Sequence, residues 1–433
     1  MRRNIVHPGA GSLSYEIREI VGVAHSLRDM GVAITWENIG DPVQKGEMPP
    51  DWIREIVHGL VDSPQSWGYC DTAGVLKTRE FLAANVNKRK GGVQITSSDI
   101  MFFNGLGDAV SKVYGFLRRE ARVLGPSPAY STHSSAESSH SGYAHLTYEL
   151  DPYNGWLPDV EDIRLKVKYN DSIAGILLLS PDNPTGAVYP RHLLEEIAEI
   201  ARKHNLFIIT DEIYAHIVYN GAGRMHASEW VGDVPALAMR GISKEYPWPG
   251  SRCGWLEVLN KDKDENFATY ANSLLAAKRL EVSSTTLPQM SIPLVMGDPR
   301  YKDHLKRREQ LFNGRADEAM AAFNDCEHVI VNKPGGAFYF TVMFKPGVLN
   351  DKQTLPIENP KVAERIKNLV TGVAPDKRFV YYLMGSKGIV VVPLTGFQCG
   401  HFGFRITLLE SDDAKRAWIY KTLRESIDAY VAS

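Results

Sequence analysis

The chain has 433 residues, 44% of them hydrophobic and 23% charged, with a formal net charge of −2 at neutral pH. That length admits two or three domains, and the composition supports a sizeable buried core. The near-neutral balance excludes the basic face of a nucleic-acid-binding protein, and no apolar run reaches the length of a membrane span.

Residues 1–50 read as an N-terminal arm that completes part of a smaller domain; their first thirteen positions hold two arginines with no apolar stretch behind them, so no secretory leader is expected. From about 51 to 300, helical stretches alternate with short apolar runs bounded by Gly, Pro or Asn. The runs at 100–103, 173–179 and 206–210 have strand length. Between the last two, the stretch 192–204 puts Leu193, Leu194, Ile197, Ile200 and Ala201 on one helical face. Strand, helix, strand at this spacing predicts a right-handed crossover and a largely parallel sheet. After 300 a long charged helix (299–323) leads to strand-like runs at 329–331, 337–342 and 389–392 and a closing helix over 411–431. The expectation is an α/β protein: a large domain over 51–300, with a mostly parallel sheet sandwiched by helices, and a smaller α+β domain over 301–433. The stretch 345–361, rich in Pro, Asn and Asp, reads as a surface insertion. Cys70, Cys253, Cys326 and Cys399 stand far apart with no C-x-x-C pair. Neither a zinc site nor a disulfide framework is indicated, and reduced thiols in a cytoplasmic protein are expected.

Five segments carry candidate chemistry. After the 100–103 run comes Asn104-Gly105-Leu106-Gly107-Asp108-Ala109, a small turn opening a helix whose first amides can hold a phosphate. It lacks the third glycine of a dinucleotide fingerprint, which sets aside a dinucleotide-binding oxidoreductase; by itself it is also an ordinary strand-to-helix turn. Ser180-Pro181-Asp182-Asn183-Pro184-Thr185-Gly186 follows a buried strand. Its residues favour a turn, and its place at the carboxyl end of a parallel strand is where ligands bind in open α/β sheets. The next strand ends in Asp211-Glu212-Ile213-Tyr214. A carboxylate there needs either a cationic partner or a helix to cap. Lys244 stands among Gly, Pro and aromatic residues with Arg252 eight positions on; burial and a nearby cation would make its amine nucleophilic, whereas an isolated lysine is ordinarily a surface charge. Arg405 interrupts an apolar strand, either to grip a carboxylate ligand or to close an internal salt bridge.

In this order the five segments resemble the class I aminotransferases, fold type I enzymes that use pyridoxal phosphate (PLP). The similarity runs from Tyr15 to Arg405. The segments Asn38-Ile39-Gly40-Asp41-Pro42, Trp67-Gly68-Tyr69-Cys70-Asp71, 183–189 and Lys278-Arg279-Leu280 look most like bacterial alanine aminotransferases. The resemblance implies that Lys244 is the covalent anchor of PLP and the base that moves the substrate Cα proton. It implies that Asp211 keeps the pyridine nitrogen protonated, with His133 bonded to that aspartate. Tyr214 and Asn183 would bond the ring's phenolic oxygen, and Tyr130 would stack on its face. Leu106, Gly107, Ser243 and Arg252 would hold the phosphate, joined by Tyr69 from a partner subunit, so a homodimer with shared sites is expected. Arg405 would bind the substrate α-carboxylate near Gly40, and Tyr15 and Arg18 the distal carboxylate of a dicarboxylic substrate. Partners would then be small amino and 2-oxo acids exchanged by a ping-pong mechanism. Alternatives on the same fold are a C–S lyase, an amino-acid decarboxylase, or a ligand-sensing domain of a transcription regulator; the last wants an N-terminal DNA-binding module, which the first fifty residues have no room for. The sequence departs from the family in the aromatic, proline-rich Tyr246-Pro247-Trp248-Pro249 and in a longer 344–379 region.

Overall fold

The computed structural model describes residues 6, 8–12 and 16–433, apart from position 90. Its centre is an eight-stranded sheet in the order Ile100–Phe103, Gly254–Leu259, Ala236–Gly241, Phe207–Asp211, Ile173–Leu179, Arg122–Ser127, Thr147–Asp151 and Leu157–Pro158. Four consecutive pairings from Ala236–Gly241 to Thr147–Asp151 are parallel. Gly254–Leu259 and Leu157–Pro158 run antiparallel to their neighbours. The expected parallel core is therefore present, and the 100–103 run joins it through an antiparallel strand.

Alternation along each strand sends side chains to two faces. Ile176, Leu178 and Ile208 join one buried cluster with Leu194, Ile197 and Ala201 of the helix Arg191–Lys203. Leu177, Leu179 and Ile209 join another with Ala109, Val113, Phe267 and Leu274, from helices on the opposite face. Burial on both faces explains why Ile173–Leu179 is a continuous aliphatic run rather than an alternating one.

A separate core gathers Ile20, Ala24 and Leu27 of the helix Glu16–Asp29, Phe312 and Ala316 of the helix Arg300–Phe323, and Leu423 and Ile427 of the helix Asp413–Val431. They pack on an antiparallel sheet ordered Val329–Val331, Tyr339–Phe344, Gly403–Thr407 and Val392–Pro393. A short pair, Thr35–Trp36 alongside Ile389–Val390, ties the N-terminal segment to the same body. The expected surface insertion at 345–361 is partly internal: Gln353 and Leu355 are buried, and the Gln353 carbonyl accepts from Arg378 Nε at 3.1 Å. Its Pro and Asn content reports local turns, which a neighbouring helix, Pro375–Lys387, then covers. Among the described residues no helix is long and apolar enough to cross a membrane.

Candidate active site

The carboxyl ends of the parallel strands open into a cavity of about 460 Å³, a size suited to a small ligand. Its walls include Gly40, Leu106, Gly107, Tyr130, Asn183, Asp211, Tyr214, Ser243, Lys244, Arg252 and Arg405, together with Arg18 from the N-terminal helix. Residues spread over almost 400 positions thus meet because consecutive strands deliver their ends to one edge of the sheet.

Asp211 terminates the strand Phe207–Asp211 and is buried. His133, fully buried on the helix Ser131–Ser141, places Nε2 3.1 Å from Asp211 Oδ2. An ionised Asp211 requires the proton on Nε2, which leaves Nδ1 to accept from the Tyr114 hydroxyl at 3.3 Å. Burial raises the Tyr114 pKa well above its usual value, so this donor keeps its proton. Within the protein Asp211 thus meets the His133 ring at Oδ2 and, at Oδ1, accepts from the Ile213 amide at 3.0 Å.

Lys244 follows the strand Ala236–Gly241 and donates from Nζ to the Gly40 carbonyl at 2.6 Å. Burial lowers its amine to about 8, with the nearby Arg405 and Arg252 guanidinium groups pushing the same way. A lysine so placed carries a substantial neutral, nucleophilic fraction near pH 8.

Across the cavity Arg405, only 1% exposed, lies on the strand Gly403–Thr407 opposite Thr341. Nη1 donates to Asn183 Oδ1 at 3.0 Å and Nη2 to the Asn38 carbonyl. Both acceptors are neutral, and among the described residues no carboxylate pairs with the guanidinium, so the internal salt bridge is not formed. Tyr339, two residues along from Thr341, lies flat against the guanidinium, 4.5 Å from ring centroid to Cζ. Its oxygen also accepts from the Tyr214 hydroxyl at 3.1 Å. Gly40 is required here by space alone, since a Cβ would come 1.8 Å from the Tyr339 oxygen. Asn183 is presented by a turn in which Asp182 Oδ2 accepts from the Thr185 amide at 3.0 Å and hydroxyl at 2.5 Å.

At the far end the helix Leu106–Gly115 begins after Gly105, whose φ of 83° suits glycine. A Cβ there would lie 2.5 Å from Arg252 Nη2, so the glycine brings the guanidinium against the helix start. The first amides, Leu106 and Gly107, have no preceding turn to bond. With Arg252 and Ser243 beside them they form a donor set for a dianionic phosphate. A phosphate cradle, a depressed lysine amine and a buried carboxylate around one cavity fit PLP.

Two expected residues are not brought into the cavity. Tyr69 is 85% exposed and absent from its walls. Tyr15 lies outside the described residues. Sequence reasoning missed Tyr339 and the Asn38 carbonyl. Tyr339 sits between Phe338 and Phe340, and an aromatic run gives no sign of which ring faces a ligand.

Comparison with known proteins agrees with this geometry. Residues 38–418 match the family model described as "Aminotransferase class I and II". The chain belongs to that family and is a PLP-dependent transaminase. A Methanocaldococcus jannaschii protein named an uncharacterized aminotransferase is 54% identical over the full length of both chains. The Escherichia coli K12 glutamate-pyruvate aminotransferase AlaA is 32% identical over 76% of this chain and 80% of its own. The solved alanine aminotransferase of Pyrococcus furiosus superposes with a TM-score of 0.83 at 26% identity, covering 99% of this chain and all of its own.

Proposed function

We propose that the protein moves an amino group between an L-amino acid, alanine or a dicarboxylic one foremost, and 2-oxoglutarate or another 2-oxo acid, in two half-reactions at one site. The carrying observation is Arg405: a buried guanidinium held by two neutral acceptors across the cavity from the Lys244 amine. An unneutralised cation fixed in that position suits the α-carboxylate common to donor and acceptor. The relatives named for glutamate, pyruvate and alanine support this substrate class.

Bound PLP supplies an electron-withdrawing ring that takes up the electron pair left when the substrate Cα proton departs. Leu106, Gly107, Ser243 and Arg252 would hold its phosphate, and Asp211, oriented by His133, would hold a proton at the ring nitrogen. Tyr214 and Asn183 would bond the ring's phenolic oxygen, and Tyr130 would cover one face. Lys244 is the nucleophile that anchors the cofactor and the base that carries the Cα proton. Arg405 orients the substrate so that this proton faces Lys244. Tyr69, exposed in the single chain, serves a partner's phosphate cradle in a homodimer. Arg18 takes the distal carboxylate of dicarboxylic substrates.

Amino donors given singly to the holoenzyme and followed by the absorbance change of the bound cofactor, repeated with Arg18→Ala, test the reading, together with steady-state assays of alanine against 2-oxoglutarate. The expected result is parallel-line ping-pong kinetics for alanine with 2-oxoglutarate, and, with each donor alone, a loss of the glutamate and aspartate half-reactions in the variant far exceeding the loss for alanine. No keto-acid-dependent turnover with any donor would overturn it.

A further inference from the structure

Lys244 is held at both ends. Its amine donates to the Gly40 carbonyl at 2.6 Å, and its own carbonyl accepts from Arg308 Nη2 at 3.0 Å. Arg308 lies on the helix Arg300–Phe323, is 4% exposed, and donates through Nη1 to Glu47. Glu47 stands seven positions after Gly40, so the contacts close a ring: Lys244 amine, Gly40, Glu47, Arg308, Lys244 carbonyl. The same strap of chain meets Arg405 at the Asn38 carbonyl and is pinned by Lys45 to Glu37 at 2.5 Å. One turn before Arg308, His304 reinforces the grip by donating from Nε2 to the Glu245 carbonyl at 2.9 Å.

We propose that Arg308, through its paired contacts with Glu47 and the Lys244 carbonyl, is a positioning residue that sets where the Lys244 amine stands relative to Arg405. The inference rests on the transaminase reading of the cavity but concerns residues outside its walls. A fork with two donors on one rigid plane is what the position requires: one arm reaches a carboxylate on the strap, the other a backbone oxygen on the lysine loop. A lysine at 308 supplies charge without that fork. Because the strap touches both Lys244 and Arg405, displacing it alters the distance between the proton-moving group and the substrate-orienting one. Such a displacement lowers turnover more than binding.

The test uses the full-length holoenzyme with Arg308→Met, Arg308→Lys, Glu47→Gln and the double variant Arg308→Met/Glu47→Gln. The readouts are kcat and KM for the best donor, and the visible circular dichroism of the bound cofactor, which reports its orientation. Expected are a fall in kcat of about 10²-fold for Arg308→Met, KM changed by less than the fall in kcat, and an altered dichroic band. Arg308→Lys should recover little, and the double variant should be no worse than Arg308→Met, because both changes break one contact chain. Glu47 is 23% exposed and glutamine keeps its shape, so Glu47→Gln, with its melting temperature measured alongside, decides the matter if Arg308→Met does not fold. Unchanged kcat and dichroism in Glu47→Gln, or strictly additive losses in the double variant, would overturn the proposal. Absence of transamination in the unsubstituted protein would instead defeat the reading of the site itself.

Discussion

Replacing Lys244 by methionine gives a quantitative check on how deeply the amine is buried. In the cofactor-free protein burial lowers this amine from 10.5 to about 8. Below about pH 8 the amine is charged in both folded and unfolded chains, and the folded state bears the full cost of holding that charge out of water. Between about 8 and 10.5 the unfolded chain binds more protons than the folded one, so stability rises with pH across this window. The displacement corresponds to about 3–4 kcal/mol. Methionine fills similar space without titrating. It also forfeits the bond to the Gly40 carbonyl, a loss of about 1 kcal/mol that does not vary with pH. Urea denaturation should therefore show wild-type stability rising relative to Lys244→Met by about 3–4 kcal/mol as pH goes from 8 to 10.5, from below the variant to above it. Profiles that stay parallel through that window would refute the assignment of a depressed amine.

Three further outcomes follow from the geometry. Arg405→Lys loses the planar fork that reaches both Asn183 and the Asn38 carbonyl, and kcat/KM for every amino donor should fall by about 10- to 100-fold, the worth of one or two charge-assisted bonds; donor-dependent loss would argue against an α-carboxylate role. Gly105→Ala drives a methyl into Arg252 and strains a positive-φ backbone, so PLP affinity measured by equilibrium dialysis should drop by about 10-fold or more, with stability lowered by about 1–3 kcal/mol. Gly40→Ala pushes the Tyr339 ring off Arg405 and breaks its contact with Tyr214; steady-state assays should find kcat lowered and the pH profile displaced, and a fully active variant would deny Tyr339 a place at the site.

Much of the fold was legible because local pattern and global burial agree. Ile173–Leu179 is aliphatic along its whole length since both faces are covered, and the helix Arg191–Lys203 repeats its apolar residues at helical spacing. Strands that break such patterns went unread. Gly254–Leu259 carries Glu257 in a buried position, accommodated because Trp255 Nε1 donates to it at 3.2 Å and Arg89 and Arg240 approach it at 3.8 and 3.9 Å. Arg122–Ser127 includes Gly-Pro and reads locally as a turn, yet it is an internal strand.

The residue types that carry chemistry, and their order along the chain, are properties of the sequence by itself: Asn183, Asp211, Lys244, Arg252 and Arg405 stand there in an order that resembles the class I aminotransferases. What the tertiary structure decided is which of their alternatives is realised. Arg405 faces neutral acceptors rather than a carboxylate, Asp211 meets a histidine proton, and Lys244 is buried enough to lose its own proton near pH 8. Tyr339, Arg308 and Glu47 acquire meaning only there, because hydrogen bonds and ring contacts depend on ångström distances between segments hundreds of residues apart. Chain order carries no record of those distances until the strands have lined up their ends.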